Sequence, residues 1–329
     1  MEKRLVFTGK CQVSLETFEL PEPQAGEVTV RTLASLMSTG TENIVFNRNF
    51  DPGTHWDNWV KYPFHPGYTA CGVVEKVGSG VTAVKAGDRV AVRMGHASAH
   101  VVAEAECIQV PAEVADGEAA WFKLAKISAM GARVAGLGLG KGVVVAGAGP
   151  IGQMAVRWCV AAGAQPVIAV DTVPMRIGMA TRGGASHGIV KPLGEAIEEI
   201  NRICGGEGPA TVIDSTGHHQ VFTDALRAAR KFGRVVILGD TGSPASQRLS
   251  SDVMSKGLTI VAAHDSHETA EWNYRHISNL FFALVKAGRF SLAGLNTHAF
   301  RPGQCVEAYR LANEKRGETM GILFDWKEG

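Results

Sequence analysis

The sequence lacks most features that would take a 329-residue chain outside ordinary globular chemistry. No apolar run is long enough to span a bilayer, and the opening, MEKRLVFTGK, holds no apolar segment of a secretory signal. The expectation is a cytoplasmic protein without a membrane-spanning helix. There is no basic block: 33 Lys and Arg against 32 Asp and Glu leave a formal charge of +1. That argues against nucleic acid or an anionic membrane as the main partner. Six cysteines (Cys11, Cys71, Cys107, Cys159, Cys204, Cys305) are scattered with no CxxC pair. They form neither a disulfide framework nor a zinc cluster, and they suit a reducing compartment.

What the sequence does have is concentrated between Gly142 and Asp171. The buried-strand run Val143-Val144-Val145-Ala146 feeds into Gly147-Ala148-Gly149-Pro150-Ile151-Gly152. Apolar residues then recur at helical spacing through Met154, Val156, Val160 and Ala161, and a second apolar run ends on Asp171. A G-x-G-x-x-G alone is weak. Placed between a strand and a helix, with an acid about 20 residues on, it reads as a dinucleotide-binding fingerprint. Gly147 permits the tight turn, Gly149 lets a pyrophosphate approach the backbone, and Gly152 lets the helix pack on the strand. The helix start at Pro150 and Ile151 offers N–H groups to the phosphates. Asp171 is placed to accept from ribose hydroxyls. Thr172-Val173-Pro174 follow it with no Arg, so NAD is favoured, with Arg176 one turn on as the residue that would serve NADP. The plain alternative is a glycine-rich βα turn that binds nothing.

Residues 1 to about 120 read as β-rich, with candidate strands at 5–8, 12–17, 27–34, 72–77 and 89–92. Between them, 47–66 is a long aromatic, turn-rich loop, the kind that is usually functional or mobile. Residues 118 to about 137 read as one bridging helix. From 142, strands at 143–147, 167–171, 187–190, 211–214, 234–239 and 258–263 alternate with helices at 150–162, 175–182, 194–203, 219–230 and 271–288. Six strands with crossover helices predict an α/β, doubly wound, mostly parallel sheet. The division expected is 1–122 with 297–329 as one domain and 123–296 as the dinucleotide-binding domain, the C-terminal segment returning to the first.

The order of these parts resembles the medium-chain dehydrogenase/reductase superfamily. Pro66-Gly67-Tyr68-Thr69-Ala70-Cys71-Gly72-Val73-Val74 is similar to its P-G-H-E-x-x-G-x-V stretch, and Val77–Val81 and Gly87-Asp88-Arg89-Val90 to its V-G-x-x-V and G-D-R-V segments. The resemblance runs end to end and implies a GroES-like catalytic domain beside the Rossmann unit. Ser38-Thr39-Gly40-Thr41-Glu42 and the Gly321–Trp326 tail are most similar to a zinc-less branch related to bacteriochlorophyllide hydroxyethyl dehydrogenases and to sugar or polyol dehydrogenases. Where zinc-dependent members carry ligands, this chain carries Thr39, Tyr68 and Lys123, with Thr69 in place of the glutamate beside the histidine. A hydroxyl, a phenol and an ammonium are not a zinc site. The four-cysteine lobe expected around 93–107 is also missing, so neither a catalytic nor a structural zinc is expected.

Without a metal, a side chain must take the proton of the alcohol. Tyr68 and Lys123 are the expected acid–base pair, with Lys126, three residues along the same helix, as support or as substrate hydrogen-bond donor. Thr39 is a candidate for orienting the substrate hydroxyl, and Glu42 is either a supporting partner or a surface carboxylate. For the lysines the bland alternative is a solvated helix face; for Tyr68 it is an aromatic wall with no proton role. His264, at a strand end with His267, competes as a substrate or cofactor contact. His218-His219 read as helix-capping residues, Ser215, Thr216 and Gly239 as ribose or nicotinamide contacts, and His298 as structural or site-facing. Phe50, His55, Trp56, Trp59, Tyr62 and Phe64 form either a lid suited to sugar rings or macrocycles or plain loop packing.

The leading expectation is a zinc-independent, NAD-dependent dehydrogenase acting on a small molecule, a secondary alcohol or ketone on a hydroxylated ring, sugar or polyol. The resemblance adds a homodimer through the edge strand near 258–263. A zinc-free enoyl or quinone reductase, a sugar-processing enzyme with transient NAD oxidation, and a non-catalytic redox sensor remain as alternatives.

Overall fold

The computed structural model describes residues 1–327, so the last two positions of the expected 297–329 segment lie outside the described residues. In chain order the elements are β1 (Glu2–Gly9), β2 (Gln12–Phe18), β3 (Glu27–Leu36), α1 (Thr39–Asn47), α2 (His55–Trp59), β4 (Ala70–Val77), β5 (Arg89–Val92), β6 (Ala99–Ala103), β7 (Ile108–Gln109), α3 (Asp116–Ala119) and α4 (Phe122–Val134). There follow β8 (Val143–Ala146), α5 (Pro150–Ala161), β9 (Val167–Asp171), α6 (Pro174–Arg182), β10 (His187–Val190), α7 (Leu193–Ile203), β11 (Thr211–Asp214) and α8 (His219–Ala228). The chain ends with β12 (Arg234–Ile237), α9 (Asp252–Lys256), β13 (Thr259–Ala262), α10 (Tyr274–Lys286), β14 (Asn296–Phe300), α11 (Cys305–Glu314) and β15 (Gly321–Asp325). Among the described residues no helix is long and apolar enough to cross a membrane.

The chain divides into two compact units: residues 1–124, 271–288 and from 292 onward; and residues 125–270 with 289–291. In the first, one sheet runs in the order β14-β15-β3-β4-β5-β7, with β6 also on β3. The C-terminal strand enters it by pairing antiparallel with β3, Leu323 opposite Leu36. A second core forms where Leu5, Phe7, Met37, Val45 and Phe46 meet α11 through Tyr309. Phe7 meets the Tyr309 ring edge-on at 4.9 Å, a favourable aromatic geometry.

Several first-unit elements differ from the sequence expectation. The expected helix 118–137 is two helices, α3 and α4, because the Ala120 carbonyl accepts from the Thr69 hydroxyl and Trp121 is buried with its indole N–H on Asn296. The Ser38–Glu42 segment runs into a helix, α1. The 47–66 loop contains α2, whose Trp56 is buried in the core while Phe50, Tyr62 and Phe64 pack against it. Helix α10, expected with the nucleotide unit, groups with the first. Its Tyr274 hydroxyl donates to the Glu106 carbonyl at 3.0 Å and its Arg275 to that of Ala105 at 2.7 Å.

The second unit is the expected alternation: six parallel strands in the order β10-β9-β8-β11-β12-β13. Strands covered on both faces need continuous apolar runs, and Val143-Val144-Val145-Ala146 is buried throughout. The strand order reverses between β8 and β11, the switch point where ligands bind in open α/β sheets. Buried Arg157 ties α5 to its surroundings through the backbone carbonyls of Ser291, Gln153 and Met179 and the side-chain amide oxygen of Gln153. Burial lowers its pKa to about 10, with Arg182 adding to the effect.

Candidate functional site

In the second unit, β8 turns into α5 through the glycine motif. Gly147 has φ +84°, and a Cβ there would meet the Thr216 methyl at 2.5 Å. A Cβ on Gly152 would collide with the Gly147 carbonyl, whereas one on Gly149 would meet nothing within 4 Å. Gly149 is therefore bare on an open side, the shape a pyrophosphate needs. No side chain caps α5, and Pro150 occupies its first turn. The N–H groups of Ile151 and Gly152 are the first-turn donors that an anion can use. These residues fit a dinucleotide.

Asp171 ends β9. One carboxylate oxygen accepts from the Ala148 N–H at 2.7 Å, the other from the Val173 N–H at 2.9 Å, and Arg176 lies 3.7 Å from the first. Ser215, read from the sequence as a cofactor contact, donates instead to the Gly147 carbonyl at 2.9 Å and props the glycine turn from beneath. Thr216 donates to Asp214 at 2.6 Å and accepts from the His218 N–H. Asp214 is fully buried, and burial pushes its carboxyl up against the opposing hydrogen bonds from Thr216. Gly239 packs so closely on Ser215 and Gly217 that a Cβ would clash with their backbone. His218 caps α8, its ring accepting from the Gln220 N–H at 3.3 Å.

In the first unit, Tyr68 is half-buried just before β4, and its hydroxyl meets that of Ser38. Thr41 Oγ1 stands 3.5 Å from the same oxygen. The hydroxyls that meet Tyr68 belong to Ser38 and Thr41, one residue before and two after Thr39. Glu42 is buried rather than on the surface. It accepts from the Ser38 N–H at 2.7 Å, from His96 Nε2 at 3.1 Å and from the Tyr309 hydroxyl. His96 Nδ1 lies 2.7 Å from Ser35 Oγ, which accepts from the Trp326 indole at 2.9 Å. As a carboxylate Glu42 only accepts, so His96 Nε2 is the donor of that pair. Burial puts the Tyr309 phenol well above its ordinary range, with the Glu42 charge adding to it.

A cavity of about 320 Å³ opens beside this network, lined by Thr41, Val45, Trp59, Phe64, His65 and Tyr68 among others. Of the expected lid aromatics only Trp59 and Phe64 reach it. Trp56 is core, and the Tyr62 hydroxyl donates to the Val45 carbonyl at 2.8 Å. Lys123 is buried in the first turn of α4.

Lys126 has a different placement from the one its spacing suggested. It is fully buried with Nζ 2.8 Å from Asp265 and 2.7 Å from Glu268, so it anchors the segment after β13. His264 is exposed and folded onto its own turn, Nδ1 2.7 Å from Ser266 Oγ. His298 stacks beside Phe300 with Nδ1 3.0 Å from Thr297 Oγ1. Among the described residues no group of three or more His, Cys, Asp or Glu is arranged to hold a metal. Ser38 was missed in the sequence; its signal is a serine at a helix N-cap position with a glutamate four residues on.

A parallel sheet with a glycine-rich turn at its first strand is the arrangement of a dinucleotide-binding unit, and the chain carries a second, sheet-rich unit as well. Comparison with known proteins narrows this. A family model described as zinc-binding dehydrogenase matches residues 150–280, and one described as alcohol dehydrogenase GroES-like domain matches residues 24–122. The L-threonine 3-dehydrogenase of Bacillus licheniformis is 27% identical, covering 92% of this chain and 93% of its own. The 2-desacetyl-2-hydroxyethyl bacteriochlorophyllide A dehydrogenase of Cereibacter sphaeroides is 25% identical, covering 98% of each. A crystal structure of an Escherichia coli oxidoreductase of unknown specificity shares the fold, with a TM-score of 0.85 at 18% identity, covering 98% of this chain and 99% of its own. The chain belongs to the medium-chain dehydrogenase/reductase superfamily and is an oxidoreductase of that type, a family that works with a nicotinamide cofactor.

Proposed function

We propose that the protein is a zinc-independent, NAD-dependent dehydrogenase or ketone reductase, acting on a secondary alcohol or ketone carried by a hydroxylated ring, sugar or polyol. The observation that carries this reading is the Tyr68 phenol. It faces the cavity from the position where the family resemblance implies a zinc-binding histidine, with hydroxyl partners at its oxygen. Thr39, Tyr68 and Lys123 offer no thiolate, imidazole or carboxylate, so this set does not fit zinc.

Bound nicotinamide would supply the hydride acceptor or donor. This chain's part is the proton. Tyr68 takes it from the alcohol hydroxyl during oxidation and returns it to the carbonyl oxygen during reduction. Lys123, buried at the start of α4, is the cation that favours the phenolate. The Thr69–Ala120 bond brings the Tyr68 segment to the start of that helix. Asp171 favours ribose hydroxyls over a 2′-phosphate, and the nearby Arg176 guanidinium faces that carboxylate. The working division is 1–122 with 297–329 for the substrate and 123–296 for the cofactor, in a cytoplasmic homodimer paired along the β13 edge.

The test is a screen of alcohols and ketones followed at the reduced-cofactor absorbance with NAD and NADP, repeated with Tyr68→Phe and Lys123→Ala. Full activity in both variants overturns the acid–base assignment. Faster turnover with NADP overturns the cofactor choice, and a stoichiometric, tightly held zinc overturns the metal-free reading.

A further inference from the structure

Ser38 stands at the N-cap of α1, where a serine oxygen ordinarily accepts from an N–H of the first turn. Its side chain makes no such bond; its hydroxyl meets Tyr68 instead. Glu42, four residues on, reaches back to the Ser38 N–H at 2.7 Å and so holds the start of the helix. Glu42 is itself fixed by His96 and Tyr309. The other side of the contact rests on the same anchor. Gly67, directly before Tyr68, has φ +86°, and a Cβ there would meet the His96 ring at 2.8 Å. Ser38 and Tyr68 are therefore both registered to one buried His96–Glu42 pair, from two separate chain segments.

We infer that the hydroxyls of Ser38 and Thr41 are positioning residues, placed to donate to the Tyr68 oxygen when it is ionised. The inference rests on the reading of Tyr68 as the acid–base group. A phenolate has lone pairs and no hydrogen, so two rotatable hydroxyls can turn toward it where a carboxylate or carbonyl could not. The first turn of the nine-residue helix α1 adds a partial positive charge. Opposing it is the Glu42 carboxylate in the same turn, whose charge is spread over three donors. His65 lines the cavity, its ring 3.3 Å from Glu16.

The test needs no substrate. The chain has four tyrosines, and burial pushes the phenols of Tyr62, Tyr274 and Tyr309 up. In a pH titration of the full-length protein followed at the phenolate absorbance, the first transition should disappear in Tyr68→Phe. It should move up by about one to two pH units in Ser38→Ala, the worth of a hydrogen bond to a charged group. Ser38→Thr keeps the hydroxyl and should titrate like the parent, and the nearly isosteric Thr41→Val should shift in the same direction by less. A Ser38→Ala transition that coincides with the parent's overturns the inference, as does survival of the first transition in Tyr68→Phe. If Tyr68→Phe loses turnover while Ser38→Ala leaves the titration in place, the inference fails and the proposed function stands. If Ser38→Ala moves the titration while Tyr68→Phe keeps full turnover, the proposed function fails instead.

Discussion

The Thr69 hydroxyl donates to the Ala120 carbonyl at 2.5 Å, with both residues buried. The bond ends one short helix before the next begins, and it joins the segment that carries Tyr68 to the turn just before the helix that carries Lys123. Thr69→Val keeps the shape and leaves a buried carbonyl without this donor. The expected loss is about 1–3 kcal/mol of stability, read as a lower urea midpoint at unchanged slope.

The glycine turn separates binding from folding. Gly149→Ala meets open space at an ordinary φ of −68°, so stability should stay within about 0.5 kcal/mol. Dinucleotide affinity should fall by about tenfold or more, because the methyl occupies the pyrophosphate's approach. Gly152→Ala collides with the Gly147 carbonyl and should cost about 1–3 kcal/mol in the free protein. Parallel calorimetric binding and thermal unfolding of the two variants check the contrast.

Lys126→Met removes a fully buried cation whose partners, Asp265 and Glu268, keep side-chain exposures of 30% and 32%. The carboxylates can therefore turn partly to water, and the expected cost is on the order of 2–4 kcal/mol. The signature is local. Amide exchange should rise across 263–270, while the tyrosine titration stays where it was.

His100 supplies a pH dependence. Burial, and secondarily the charge of His96, lowers its pKa to about 4, and its Nε2 has no hydrogen-bond partner among the described residues. The unfolded chain binds this proton below its ordinary value of 6.5, and the folded protein only near 4. Its stability contribution is therefore fully present above pH 6.5 and is lost progressively as the pH falls toward 4. The loss is on the order of 3 kcal/mol over that window. Denaturation midpoints of the parent and His100→Phe, compared from pH 7 to 4.5, should converge or cross as pH falls. A constant difference would sink the assignment.

The second unit was legible because its signals are local. Val143–Ala146 is an unbroken apolar run, Gly147 and Gly152 are demanded by a turn and a close approach, and the strands at 167–171, 187–190 and 211–214 carry their own burial pattern. The first unit's site was not legible. Ser38 meets Tyr68 across 30 residues and Glu42 meets Tyr309 across 267, and no local pattern encodes such pairings. Lys126 shows a second limit. Helical spacing placed it beside Lys123, but spacing cannot reveal that Asp265 and Glu268 arrive from 139 and more residues away to claim it. Ser215 is a similar case, since its position at a strand end says nothing about which way its hydroxyl turns.

The hydrogen-bonded run from Trp326 through Ser35 and His96 to Glu42 links the residue just after β15 to the first turn of α1. The tail of the chain is thereby a splint for the segment that carries Ser38, and removing the Trp326 indole would slacken a helix start far upstream in the sequence.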